Sequence, residues 1–270
     1  MAITGKPVVG VVPYMNLDLE DEDSLSERFT RQDKAAAIDI AVVRLPRISN
    51  FTDFNSLECI EGVAVRYIKT VSELRAPDLV ILPGTKNTME DLLWLRQSGL
   101  EAAILKLAAQ GTPVFGVCGG YQMLGEYYKT WDGVQLDFIG AIGVHTIGAK
   151  ERMIGNYMFR TTPESGDTVV VGFENHSGKT YLSEQVAPLG MMLSGNGNNG
   201  EDKTAGARYK NVFGTYSHGS LLPKNPVLCD FILQTALNHR YDGAEPLAPL
   251  DDTLELNAHR YMQERLSHNG

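Results

Sequence analysis

The stretch Gly111 to Gln122, GTPVFGVCGGYQ, constrains this chain more than any other. Pro113 to Val117 is an apolar run of the length of a short buried strand. It stops at Cys118, two glycines follow, and Tyr121, Met123 and Leu124 open a helix-like pattern. Strand, sharp turn and helix with a thiol at the bend is the thiol form of a nucleophile elbow. Such a bend forces its central residue into strained backbone angles, and the glycines remove Cβ atoms that would block close packing. Backbone N–H groups at the start of the helix face the sulfur, which lowers a thiol pKa and can bind an oxyanion. Most unpaired cysteines are small buried hydrophobes; Gly116, Gly119 and Gly120 around Cys118 argue for a nucleophile instead.

The rest of the pattern suits such an elbow. Ile38 to Leu45, Val63 to Ile68 and Asp78 to Leu82 read as strands, and Thr88 can cap a helix with apolar positions Met89, Leu92, Leu93 and Leu95. Leu100 to Ala109 is the next helix, ended by Gly111. Val212 to Tyr216 is a late strand, and Val227 to Leu237 and Leu254 to Leu266 are late helices. Alternating strands and helices predict an α/β fold, mostly a parallel sheet flanked by helices. Ligands collect beyond the carboxyl ends of such strands. Cys118, the turn at Pro83-Gly84-Thr85 and His218 all fall at strand ends, so one sheet edge can gather them. His218 is therefore the candidate base, with His176 its rival; His145, His239, His259 and His268 lack a glycine-bounded strand end.

Composition narrows the function. The net charge of −9 and the absence of a basic cluster argue against a nucleic-acid binder. Cys59, Cys118 and Cys229 are too far apart for a metal set, and three is an odd number for a disulfide framework. A reducing compartment follows. The start lacks a cationic region followed by a long apolar core, and no apolar run nears the roughly 18 residues of a membrane span. A cytoplasmic enzyme is expected. Residues 1–36 read as an extension or linker, with a strand at Val8 to Val12 and a solvated acidic loop at Asp18 to Asp23. Residues 37–270 read as the main domain. No G-x-x-x-x-G-K-[ST] occurs, so the chain is not expected to activate a carboxylate with ATP.

GVCGGYQMLG resembles the nucleophile segment of class I, triad-type glutamine amidotransferases. The N-terminal segment and RLPRISNFTDF are similar to cobyric acid synthases. From Tyr127 onward, AKERMIGNY, GFENHSGKTYL, PLGMMLSGNGNNGED and YKNVFGTYSHGSLLPKNP resemble the glutaminase subunit of lipid II isoglutaminyl synthase. PGTKNT departs from the GGG usual in those wall subunits.

The resemblance implies a class I amidotransferase fold and a glutaminase. Cys118 attacks the side-chain amide of L-glutamine, with His218 as base. Gly84 and Gly119 supply oxyanion N–H groups, and Gln122 lines the pocket. Arg152 matches the position of the family's carboxylate-binding arginine, a role suited to a guanidinium fork. Ser220 stands where many relatives carry a glutamate, so either His218 works without an acid, or the acid is Glu174 or comes from a partner subunit. The chain needs no cofactor or metal itself. ATP and Mg are expected on a Mur-ligase-like partner forming a heterodimer that amidates the D-glutamate α-carboxyl of lipid II. The alternatives are cobyric acid amidation in cobalamin synthesis, and a non-catalytic binding protein on the same fold.

Overall fold

The computed structural model describes residues 37–241, 244–245, 248 and 250–267. The expected strand at Val8 to Val12 and the acidic loop lie outside the described residues, as does His268. The first half runs β1 (Ile38–Val43), β2 (Ile48–Ser49), α1 (Asn55–Cys59), β3 (Val63–Ile68), α2 (Val71–Leu74), β4 (Leu79–Leu82), β5 (Gly84–Thr85), α3 (Thr88–Gln97) and α4 (Leu100–Ala109). Then come β6 (Val114–Val117), α5 (Gly119–Leu124), β7 (Tyr127–Lys129), β8 (Gln135–Asp137), β9 (Val144–Thr161), β10 (Val169–Leu182) and β11 (Gly190–Ser194). β12 (Thr204–Ala205), β13 (Ala207–Tyr209), β14 (Val212–Thr215), α6 (Leu221–Lys224), α7 (Pro226–Arg240) and α8 (Thr253–Ser267) complete the order.

The first sheet has the strand order β13-β14-β6-β4-β1-β3. Its pairs are parallel except β13 with β14. Every residue of LVIL in β4 and VFGV in β6 is buried. Runs apolar on both faces are what a helix-covered parallel sheet requires. This is a mixed α/β chain.

Two details differ from the sequence reading. Asn87, not Thr88, caps α3: its side chain accepts from the Glu90 amide at 3.2 Å. Thr88 is already helical, and its hydroxyl turns to Gln122 instead. Leu93 faces solvent at 41% exposure, while Leu92 and Leu95 are buried.

A second six-stranded sheet was not expected. It is built on the long antiparallel pair β9 and β10, with β11, β12, β7 and β8 alongside. β10 alternates buried and half-buried residues over much of its length, so it covers the core with one face. The centre of β9 carries the exposed run Lys150-Glu151-Arg152, which interrupts the apolar alternation that would reveal a strand. The hairpin shifts register between His176 and Gly178. Such a bulge re-aims nearby side chains. It lies where the second sheet passes the ends of β6 and β14.

Candidate active site

Cys118 follows the last residue of β6 with φ +52° and ψ −109°, a region that L side chains avoid. Its amide donates to the Thr215 carbonyl at 2.8 Å, and its carbonyl accepts from the Gln122 amide at 3.1 Å. Strand and helix thus both hold the strained residue. The glycines leave no alternative. A Cβ on Gly120 would collide with the carbonyl oxygens of Leu82 and Pro83, and one on Gly119 would meet Thr85 Cγ2 at 2.6 Å.

Beside Cys118 lies a cavity of about 230 Å³. Thr85, Gly119, Gln122, Arg152, Asn175 and His176 are among its walls. Of the expected oxyanion donors, Gly119 is on the wall and Gly84 is not. The pairing of β2 with β5 explains this. Lys86 N donates to Arg47 O at 3.1 Å, and Gly84 pairs with Ser49. Antiparallel alternation therefore commits the Gly84 amide to β2 and turns the Thr85 amide the other way. Thr85 N lies 3.3 Å from where a Gly119 Cβ would stand.

Gln122 is buried and tied at both ends. Its Oε1 accepts from Thr88 Oγ1 at 3.0 Å, and its Nε2 donates to the Tyr216 hydroxyl at 3.1 Å. Arg152 projects from β9. Its Nε and Nη2 donate to Asn175 Oδ1 at 3.0 and 2.7 Å. Nη1 makes no hydrogen bond among the described residues, so the fork keeps donors for a ligand carboxylate. Arg152 also lines a second, polar cavity of about 540 Å³ with Lys150, Lys179, Asn196 and Asn199. Asn175 was not anticipated, although it sits inside the FENHSG segment.

β14 adjoins β6, and the register pairs Thr215 with Val117. Cys118 is therefore opposite Tyr216, and His218 lies two residues further along the same edge. Backbone bonds in both directions at 3.0 Å join His218 to Phe173 of β10. The His218 ring is 8% exposed and is not itself on the cavity wall. Neither ring nitrogen makes a hydrogen bond among the described residues.

His176 is on the wall, with one ring nitrogen engaged and the other buried without a hydrogen-bond partner among the described residues. Nδ1 is 2.8 Å from Gly178 O, and Nε2 faces Glu174 Oε2 at 3.6 Å. Its ring is stacked on Tyr216 with centroids 3.5 Å apart. Other histidines are occupied elsewhere: His239 lies 3.3 Å from Thr112 Oγ1, His259 meets Lys224 O, and His145 stacks between Tyr127 and Tyr181. Glu174 is fully buried, but its Oε1 accepts from the amide and side chain of Asn196 and its Oε2 from the Gly197 amide. It anchors the GNGNN turn.

Electrostatics set the resting state. Burial pushes the Cys118 thiol up to about 11, against the pull of the Gly119 amide and the Arg152 charge. This corrects the expectation that the helix start alone lowers it: α5 is only six residues long, and desolvation outweighs one amide. Burial first, then His176 and Lys224, press His218 down to about 4, while Glu174 opposes them. These shifts favour a neutral thiol and a neutral imidazole at rest near neutral pH.

A family model described as the CobB/CobQ-like glutamine amidotransferase domain matches residues 39–226. The chain belongs to this family. CobB/CobQ-like relatives include the cobyric acid synthase of Ruminiclostridium cellulolyticum, 45% identical over 79% of this chain and 43% of that protein. That of Listeria monocytogenes serotype 4a is 42% identical over 80% and 43%. The chain thus spans less than half the length of these curated relatives. PurLQS from Thermotoga maritima shares the fold at a TM-score of 0.58 and 18% identity, over 76% of this chain and 99% of that one. A glutamine amidotransferase crystal structure superposes at 0.57 with 16% identity, over 73% and 98%. These distant structures support the fold of the CobB/CobQ-like chain alone. No helix among the described residues is long and apolar enough to cross a membrane.

Proposed function

We propose that this chain hydrolyses L-glutamine to glutamate and delivers the ammonia to a synthetase unit. The observation that carries the reading is Cys118 at a strained strand end, one strand from a neutral, uncommitted His218. His218 takes the thiol proton as Sγ attacks the amide carbon. The oxyanion that forms is met by the Gly119 and Thr85 amides. His218 passes the proton to the departing nitrogen, the C–N bond breaks, and ammonia leaves a thioester. Water, deprotonated by His218, cleaves that thioester to glutamate and regenerates the thiol. Arg152, braced by Asn175, pairs with the substrate α-carboxylate, and Gln122 closes the pocket floor.

For the acceptor, similarity to cobyric acid synthases at more than 40% identity favours amidation of a cobyric-acid-type carboxylate, with ATP and Mg on the synthetase unit. A second reading is amidation of the lipid II D-glutamate α-carboxyl with a Mur-ligase-like partner. It rests on the GNGNN and HGSLLPKNP segments together. The test is to follow glutamate and ammonia release by this chain, then titrate in each kind of synthetase. Stimulation by one and not the other identifies the acceptor. No release under any condition overturns the glutaminase reading.

A further inference from the structure

Resting on that reading, we propose that Asp53 is the carboxylate that positions His218, taking the part that falls to Ser220's place in many relatives. Asp53 sits on a short turn, Phe51–Phe54, and is fully buried. Its Oδ1 accepts from Leu221 N at 2.9 Å, across 168 residues of sequence. The Gly219 and Ser220 amides face the same carboxylate. These three amides directly follow His218. Lys224 Nζ holds the same turn from its other side, donating to Gly219 O at 2.6 Å. Ser220 itself, at φ +60° and ψ +48°, caps nothing with its side chain.

The second oxygen gives Asp53 a further role. Oδ2 is buried and has no hydrogen-bond partner among the described residues. An unmatched buried oxygen is costly, so this one calls for a donor. The His218 ring nitrogens are unmatched at the same turn. In the proposal, Oδ2 accepts from the imidazole as it gains its proton. Glu174, the other internal carboxylate, is tied by both oxygens to the 196–197 turn. The charged or titratable groups that act on Asp53, or on which it acts, are Lys224 and Cys118. Burial holds Asp53 at about 7, so near neutral pH its charge is available when the imidazolium forms.

The decisive variant is Asp53→Asn, which keeps an oxygen for Leu221 N and loses the charge. Glutamine turnover and melting temperature are measured together. The expected result is a kcat loss on the order of 10²-fold, with KM within about threefold and a melting temperature no lower than the parent's. If Asp53→Asn does not fold, Asp53→Ser, which also offers a neutral acceptor, is read the same way. A folded neutral variant with near-parental kcat overturns the proposal, as does activity lost only in step with folded protein. Parental turnover is the control: its absence would fail the glutaminase reading, whereas its presence beside an active Asp53→Asn fails only the Asp53 role.

Discussion

At the scale of single residues, the thiol and its base make the sharpest predictions. Cys118→Ala should abolish glutamine hydrolysis and keep the fold, because no neighbouring group can replace the attacking sulfur. His218→Ala should cost on the order of 10²-fold or more in kcat. His176→Ala should cost less, since its Nδ1 is held by Gly178 O and its ring is fixed in a stack on Tyr216. Side-by-side kinetics check the order, and a reversed ranking would move the base to His176. Arg152→Ala should chiefly raise KM for glutamine by about one to two decades, the worth of a charge-assisted pair. Cys118, His218, Gln122 and Arg152 could be singled out as candidates because each stands in a motif or at a strand end. Asn175, Thr85 and Asp53 could not. The roles proposed for them depend on which way a backbone amide or carboxylate points after distant segments meet, and no local pattern encodes that.

At the scale of elements, the first sheet could be read from its apolar runs, and the second could not. Strands β4 and β6 are apolar on both faces and bounded by turns. β9 carries Lys150, Glu151 and Arg152 in its middle because that part borders the two cavities rather than the core. The elbow allows a structural check. Gly120→Ala should destabilise the protein by about 1–3 kcal/mol, because the added methyl meets backbone carbonyls that cannot rotate aside. Thermal unfolding monitored by circular dichroism would read this as a lower Tm. An unchanged Tm would mean that α5 can shift away from β4 without cost.

At the scale of the whole molecule, two buried groups tilt stability in opposite directions with pH. His218 sits at about 4 folded against an ordinary 6.5, so between those values the unfolded chain binds more protons and stability rises with pH. Asp53 sits at about 7 against 3.8, so between those values the folded chain binds more protons and stability falls with pH. Each effect is on the order of 3–4 kcal/mol at full extent, and the two largely cancel between pH 4 and 6.5. Asp53→Asn removes only the falling contribution. Its stability relative to the parent should therefore grow with pH from about 4 to 7, measured by urea unfolding across that range. A constant difference would place the Asp53 carboxyl in its ordinary range.

The resting protonation of Cys118 has a consequence for the chemical durability of the protein. Oxidants and alkylating agents react with thiolates, and a thiol held near 11 offers them almost none. Iodoacetamide should label the exposed Cys59 well before Cys118, as peptide mass mapping over time would show. Only an electrophile shaped like glutamine, which occupies the pocket and draws the proton onto His218, should reverse that order. Under the proposed mechanism the nucleophile should thereby be switched on by its own substrate and stay inert towards the small reactive molecules around it.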